Sequence, residues 1–130
     1  SFGLECLSRE AANVTFVENN KNALKILLKN IDKIKIKKKT HIEDYSVFIY
    51  LLSAKNFDDK IDLIFLDPPY EEKNISTLIK NIDKIKILKK NGIIIIHRKK
   101  KSLDNYPNSF KILDIRNYGI SKIIFGNLSS

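Results

Sequence analysis

The stretch Ile61-Asp62-Leu63-Ile64-Phe65-Leu66-Asp67-Pro68-Pro69-Tyr70 decides how the chain is read. Ile61 to Leu66 is a short apolar run with β-branched and aromatic residues. Such a run predicts a strand buried on both faces, the type found in parallel sheets. It stops at Asp67-Pro68-Pro69-Tyr70, because prolines have no N–H to give to a ladder. A carboxylate, a stiff turn and an aromatic ring therefore stand at the carboxyl end of a buried strand. In open α/β sheets, ligands bind at that edge.

The tetrapeptide resembles the Asp-Pro-Pro-Tyr motif of amino-group methyltransferases that use S-adenosylmethionine. Its residue types suit that chemistry. The exocyclic amine of a nucleobase is a weak nucleophile, since its lone pair is delocalised into the ring. A carboxylate and a backbone carbonyl both accept hydrogen bonds from the amine and orient its nitrogen. The prolines fix φ, so the carbonyls are aimed in advance. The tyrosine offers a flat face for the base. The plainer alternative is a strand followed by a Pro-Pro turn, with Asp67 as a local acceptor.

The 130 residues suit one domain with a real core, and 43% of them are apolar, which excludes a wholly disordered chain. The net charge of +9 suits a polyanionic partner such as RNA. A composition rich in Lys, Asn and Ile would raise lysine everywhere, so the charge is only mild support. Cys6 is the sole cysteine, which excludes a disulfide framework or a cysteine zinc site within the chain and leads us to expect an intracellular, cytoplasmic setting. No stretch approaches the ~18 apolar residues of a membrane span, so no membrane partner is expected.

In chain order, Ser1 to Ala12 reads as a helix already under way. Asn13 to Val17 reads as a strand ending at Glu18-Asn19-Asn20. Asn20 is placed to cap a helix from Lys21 to about Ile31. Ile34 to Lys38 alternates Ile and Lys, as an edge strand would. Thr40 to Asp44 reads as a turn, with Asp44 capping a helix from Tyr45 to about Lys55. After Tyr70, a charged loop leads to a helix from about Ile75 to Asp83. Ile93 to Ile96 predicts a second buried strand, entered through a turn at Asn91-Gly92. The basic run His97 to Lys101 follows. Phe110 to Asn117 and Ile120 to Phe125 predict an antiparallel hairpin. The octapeptide Lys-Asn-Ile-Asp-Lys-Ile-Lys-Ile occurs at 29–36 and 80–87, but does not mark an architectural repeat. Alternating helices and strands followed by a hairpin predict a mostly parallel α/β sheet with one reversed strand.

Three patches resemble the RsmD family, bacterial 16S rRNA guanine-N2 methyltransferases. They are Gly3-Leu4-Glu5-Cys6-Leu7-Ser8-Arg9-Glu10-Ala11, with Glu18-Asn19-Asn20 following it; Asp67-Pro68-Pro69-Tyr70; and Tyr118-Gly119-Ile120-Ser121-Lys122-Ile123-Ile124-Phe125. The resemblance runs across the chain. It implies a class I, Rossmann-like fold with a C-terminal antiparallel hairpin. The family's first strand and its Asp-x-Phe-x-Gly-x-Gly loop precede the residue matching Ser1. The expectation is therefore a single methyltransferase domain over 1–130, truncated at its N-terminus and lacking that first, central strand.

The resemblance also implies roles. Glu18 would bind the ribose hydroxyls of S-adenosylmethionine, with Asn19 beside it. Asp44 would bind the adenine amine, with Tyr45 next to the adenine, and Gly3 would pack near the cofactor. Asp67 and the Pro68 carbonyl would hold the guanine amine, Pro69 would stiffen the turn, and Tyr70 would stack on the base. Asp44 reads equally as a plain helix cap. Arg98 to Lys101 read as phosphate contacts or as a solvated loop. His41 and His97 lack partners at metal-ligand spacing, so no metal is expected. Cys6 has no sequence context for a nucleophile.

The expectation is thus a monomer that methylates guanine N2 in 16S rRNA or in the assembling small ribosomal subunit. Two alternatives remain at this point: an adenine-N6 methyltransferase of nucleic acid, and a non-catalytic RNA-binding remnant. A third possibility is a folding fragment with exposed apolar surface.

Overall fold

The computed structural model describes residues 14–17, 40–43, 61–68 and 73–129. The chain divides into two compact units, Ser1–Ser53 and Ala54–Ser130.

In the first unit, β1 (Val14–Val17) pairs in parallel with β2 (Thr40–Glu43). Val17 lies opposite Glu43, so the two strands end level. β1 agrees with the strand expected at Asn13 to Val17. β2 corrects the turn expected at Thr40 to Asp44. The β-branched Thr40 and Ile42 are spaced by two, and that short alternation was outweighed by polar neighbours. The helices expected at Ser1 to Ala12 and from Lys21 to about Ile31, the edge strand at Ile34 to Lys38, and the helix from Tyr45 lie outside the described residues.

The second unit holds β3 (Ile61–Leu66), helix α1 (Ile75–Ile85), β4 (Leu88–Lys99), β5 (Phe110–Tyr118) and β6 (Ser121–Leu128). The sheet order is β3-β4-β6-β5. β3 and β4 are parallel, while β6 runs antiparallel to both of its neighbours. This is the reversed strand that the terminal hairpin predicted. Tyr118 pairs with Ser121 across Gly119-Ile120, and Gly119 takes φ 57°. A positive φ at the first central residue, easy only for glycine, is the type II′ pattern that matches the twist of a hairpin.

α1 carries apolar residues at helical spacing. Ile75, Leu78, Ile79 and Ile82 are all buried. They share the core of this unit with Leu66, Ile94, Ile96 and Ile124. Each such burial contributes about 1.5–3 kcal/mol. The helix ends two residues later than expected and closes at Lys86. That residue adopts a left-handed conformation (φ 54°), and its N–H donates to the Asp83 carbonyl at 3.2 Å.

β4 differs from expectation at its start. Asn91-Gly92 is not a turn ahead of the strand but part of an excursion inside its paired length. Ile61 pairs with Leu88, an offset of 27, whereas Leu63 pairs with Ile93, an offset of 30. Lys89 to Gly92, four residues against the single Asp62, lie between these pairs, so β4 carries three extra residues. The offset then stays at 30 through Leu66 and Ile96.

Candidate active site

β3 ends at Leu66, which delivers Asp67 and Pro68 to the carboxyl edge of the sheet. β4 runs alongside in parallel. One step beyond the Leu66–Ile96 pair, the constant offset sets His97 beside Asp67. The side chains meet there: His97 Nδ1 lies 2.9 Å from Asp67 Oδ1. An ionised carboxylate is acceptor-only, so the proton of this bond sits on Nδ1. The Asp67 side chain is 57% exposed and that of His97 25%. The carboxylate is thus braced yet open to a ligand.

The sequence marks His97 only as the start of a basic run and as no metal ligand. It lies within β4 and is the partner of Asp67. A usable signal is present in the sequence: Asp67 and His97 each follow directly on an apolar run, and neighbouring parallel strands bring such ends together. The run before Asp67 is less buried than expected, with Leu66 in the core but Leu63 exposed.

Pro69 and Tyr70 lie outside the described residues, as do Gly3, Glu18, Asn19, Asp44 and Tyr45. Glu18 follows the last residue of β1 and Asp44 the last of β2. Those two strands lie side by side in parallel with their ends level.

Arg98 requires a correction. With Lys99, Lys100 and Lys101 it reads as a phosphate contact or part of a solvated loop, but it is 1% exposed and is neither. Its guanidinium grips Asp104 in a fork, Nε to Oδ2 at 2.8 Å and Nη2 to Oδ1 at 3.0 Å. Ser102 Oγ donates to Asp104 Oδ2 at 2.9 Å, and Lys122 Nζ donates to the Ser102 carbonyl at 2.8 Å. Burial alone would raise the Asp104 carboxyl. The hydrogen bonds from Arg98 and Ser102, with the charges of Arg98 and Lys122, hold it below its ordinary value. Burial pushes the nearby Tyr106 hydroxyl up to about 12, and the Asp104 charge adds to this. The network ties the segment after β4 to β6. Lys99, Lys100 and Lys101 remain exposed, just past His97.

A surface depression lined by Ile82, Lys86, Leu88, Asn91 and Asn127 lies at the amino end of β4, the opposite end of the sheet from Asp67. Among the described residues, no cluster of His, Cys, Asp and Glu is placed to hold a metal. None of the described helices is long and apolar enough to cross a membrane.

The family described as Conserved hypothetical protein 95 matches residues 1–127. The chain belongs to this family, the RsmD family. Relatives agree with that assignment. Ribosomal RNA small subunit methyltransferase D of Haemophilus influenzae is 31% identical over 92% of this chain and 62% of its own length. The protein of the same name from Buchnera aphidicola is 31% identical over 85% of this chain and 56% of its own length. The RsmD-family chain thus spans about three-fifths of the length of these two relatives. Among solved structures, a conserved hypothetical protein of Streptococcus pyogenes superposes with a TM-score of 0.82 at 24% identity, covering 93% of this chain and 75% of that one. A ribosomal protein L11 methylase from Lactobacillus delbrueckii subsp. bulgaricus gives 0.69 at 18% identity, covering 92% and 60%. The fold is that of the class I methyltransferases, with the expected C-terminal antiparallel hairpin.

Proposed function

We propose that this chain carries the catalytic edge of an S-adenosylmethionine-dependent methyltransferase acting on the exocyclic N2 of a guanine in 16S rRNA, free or in the assembling small subunit. The observation behind this reading is Asp67 at the carboxyl end of β3, followed by Pro68 and braced by His97.

S-adenosylmethionine supplies an electrophilic methyl group on a sulfonium. The amine lone pair forms the new N–C bond as the S–C bond breaks. Sulfur keeps that electron pair, and one proton leaves the nitrogen for water. Asp67 and the Pro68 carbonyl accept hydrogen bonds from the amine, which orients its lone pair and stabilises charge building on nitrogen. Tyr70 stacks on the base, which must be unstacked or already in a loop. Gly3, Glu18, Asn19, Asp44 and Tyr45 hold the cofactor. The level ends of β1 and β2 support that placement for Glu18 and Asp44.

Guanine suits Asp67 better than adenine does. The guanine edge offers two adjacent donors, N1–H and the N2 amine, and an acceptor-only carboxylate matches both. Adenine sets an acceptor, N1, beside its amine, and this would face the carboxylate lone pairs. The exposed Lys99, Lys100 and Lys101 flank the same edge and suit an RNA backbone.

The test is transfer of labelled methyl from S-adenosylmethionine to 16S rRNA and to small-subunit particles. The expected result is incorporation by the wild-type chain and a loss of at least about 100-fold in Asp67→Ala. Equal incorporation by both would overturn the reading.

A further inference from the structure

We propose that His97 is a positioning residue for the target amine, acting through Asp67; the inference rests on the guanine-N2 reading above. Nothing in the Asp-Pro-Pro-Tyr motif calls for a histidine partner. The strand register supplies one. At the offset of 27 seen at Ile61 and Leu88, the residue opposite Asp67 would be Ile94. The Lys89 to Gly92 excursion raises the offset to 30 and substitutes His97.

The contact does what a reactive carboxylate at a strand end needs. The terminal torsion of aspartate is broad, with no sharp minimum. An unbraced carboxylate that is 57% exposed would sample many orientations. The Nδ1–H bond to Oδ1 at 2.9 Å removes that freedom before substrate arrives. It engages one lone pair of Oδ1 and leaves Oδ2 and the other Oδ1 lone pair for the two N–H groups of the guanine edge. Support of the fold does not account for the pair, because side-chain pairs this exposed add little to stability.

The test compares wild type, His97→Ala and His97→Asn, each with and without Asp67→Ala, in methyl transfer to small-subunit particles. The asparagine amide puts an N–H near the place of Nδ1–H. His97→Ala is expected to lower kcat by about 10- to 100-fold, with KM for S-adenosylmethionine and for the particle changed less than about 3-fold. His97→Asn should restore most of the rate, and His97→Ala should cost nothing further once Asp67 is alanine. Unfolding midpoints shared by wild type and His97→Ala would separate positioning from folding. The nitrogen resonances of the His97 ring should report a proton on Nδ1 that is lost from its bonded position in Asp67→Ala.

An unchanged kcat in His97→Ala would overturn the proposal and leave the guanine reading standing. So would a loss of equal size in the Asp67→Ala background, or a change confined to KM. A wild-type chain silent on guanine would overturn both.

Discussion

Gly92 lies so close against Leu88 that a methyl group on its Cα would stand 2.6 Å from both Cγ and Cδ1 of that side chain, and 2.9 Å from the Lys89 carbonyl oxygen. The excursion that sets the β3–β4 register therefore closes on a residue without a side chain. Gly92→Ala should lower stability by about 1–3 kcal/mol, the usual cost of overpacking. A urea unfolding midpoint shifted at unchanged slope would show it. An unmoved midpoint would mean that the excursion relaxes without cost.

Much of this unit was legible in the sequence, and the exceptions share a cause. Ile61 to Leu66, the stripe Ile75-Leu78-Ile79-Ile82 and the hairpin around Gly119 are local patterns, so periodicity and turn chemistry reveal them. The Asp67–His97 contact is not local. It depends on a parallel register, and that register depends on an excursion whose Asn91-Gly92 mimics an ordinary turn. Arg98 misleads for a related reason: a basic run reads as solvated, and only the fold brings Asp104 and Lys122 around it. β2 was missed because four residues carry too little alternation to outweigh polar neighbours.

Arg98 should matter to folding rather than to RNA binding. Its removal leaves the Asp104 carboxylate with its main partner gone. Arg98→Ala should cost about 3–5 kcal/mol. Arg98→Lys keeps the charge and loses the two-point fork, so it should recover only part of that. Equilibrium unfolding of the three proteins checks the order. A stable Arg98→Ala with weakened RNA binding would return Arg98 to the phosphate-contacting group.

The same network sets an acid limit. Asp104 titrates below its ordinary value of 3.8 in the folded protein. The unfolded chain then binds the proton more readily, so the contribution is full above the unfolded value and lost as pH falls through the folded one. Stability should decline below about pH 4, and less steeply in Asp104→Asn, although that variant starts lower. Urea midpoints between about pH 6 and pH 3 measure it. Parallel slopes would assign the acid sensitivity to other carboxyls.

Lys100 and Lys101 are exposed beyond β4, on the edge that carries Asp67. The double variant Lys100→Ala/Lys101→Ala should weaken binding to 16S rRNA. It should also flatten the dependence of log K on log salt by roughly 0.7–0.9 per lost phosphate contact. Filter binding across a salt series reads both. An unchanged slope would remove these lysines from the interface.

Nucleoside analysis of the methylated product tests the central claim most directly. Small-subunit particles or 16S rRNA are incubated with S-adenosylmethionine and the protein, digested to nucleosides and resolved by mass spectrometry. An acceptor-only Asp67 held by His97 predicts N2-methylguanosine as the product, absent with Asp67→Ala. N6-methyladenosine as the sole product would contradict the account and assign the same carboxylate to adenine.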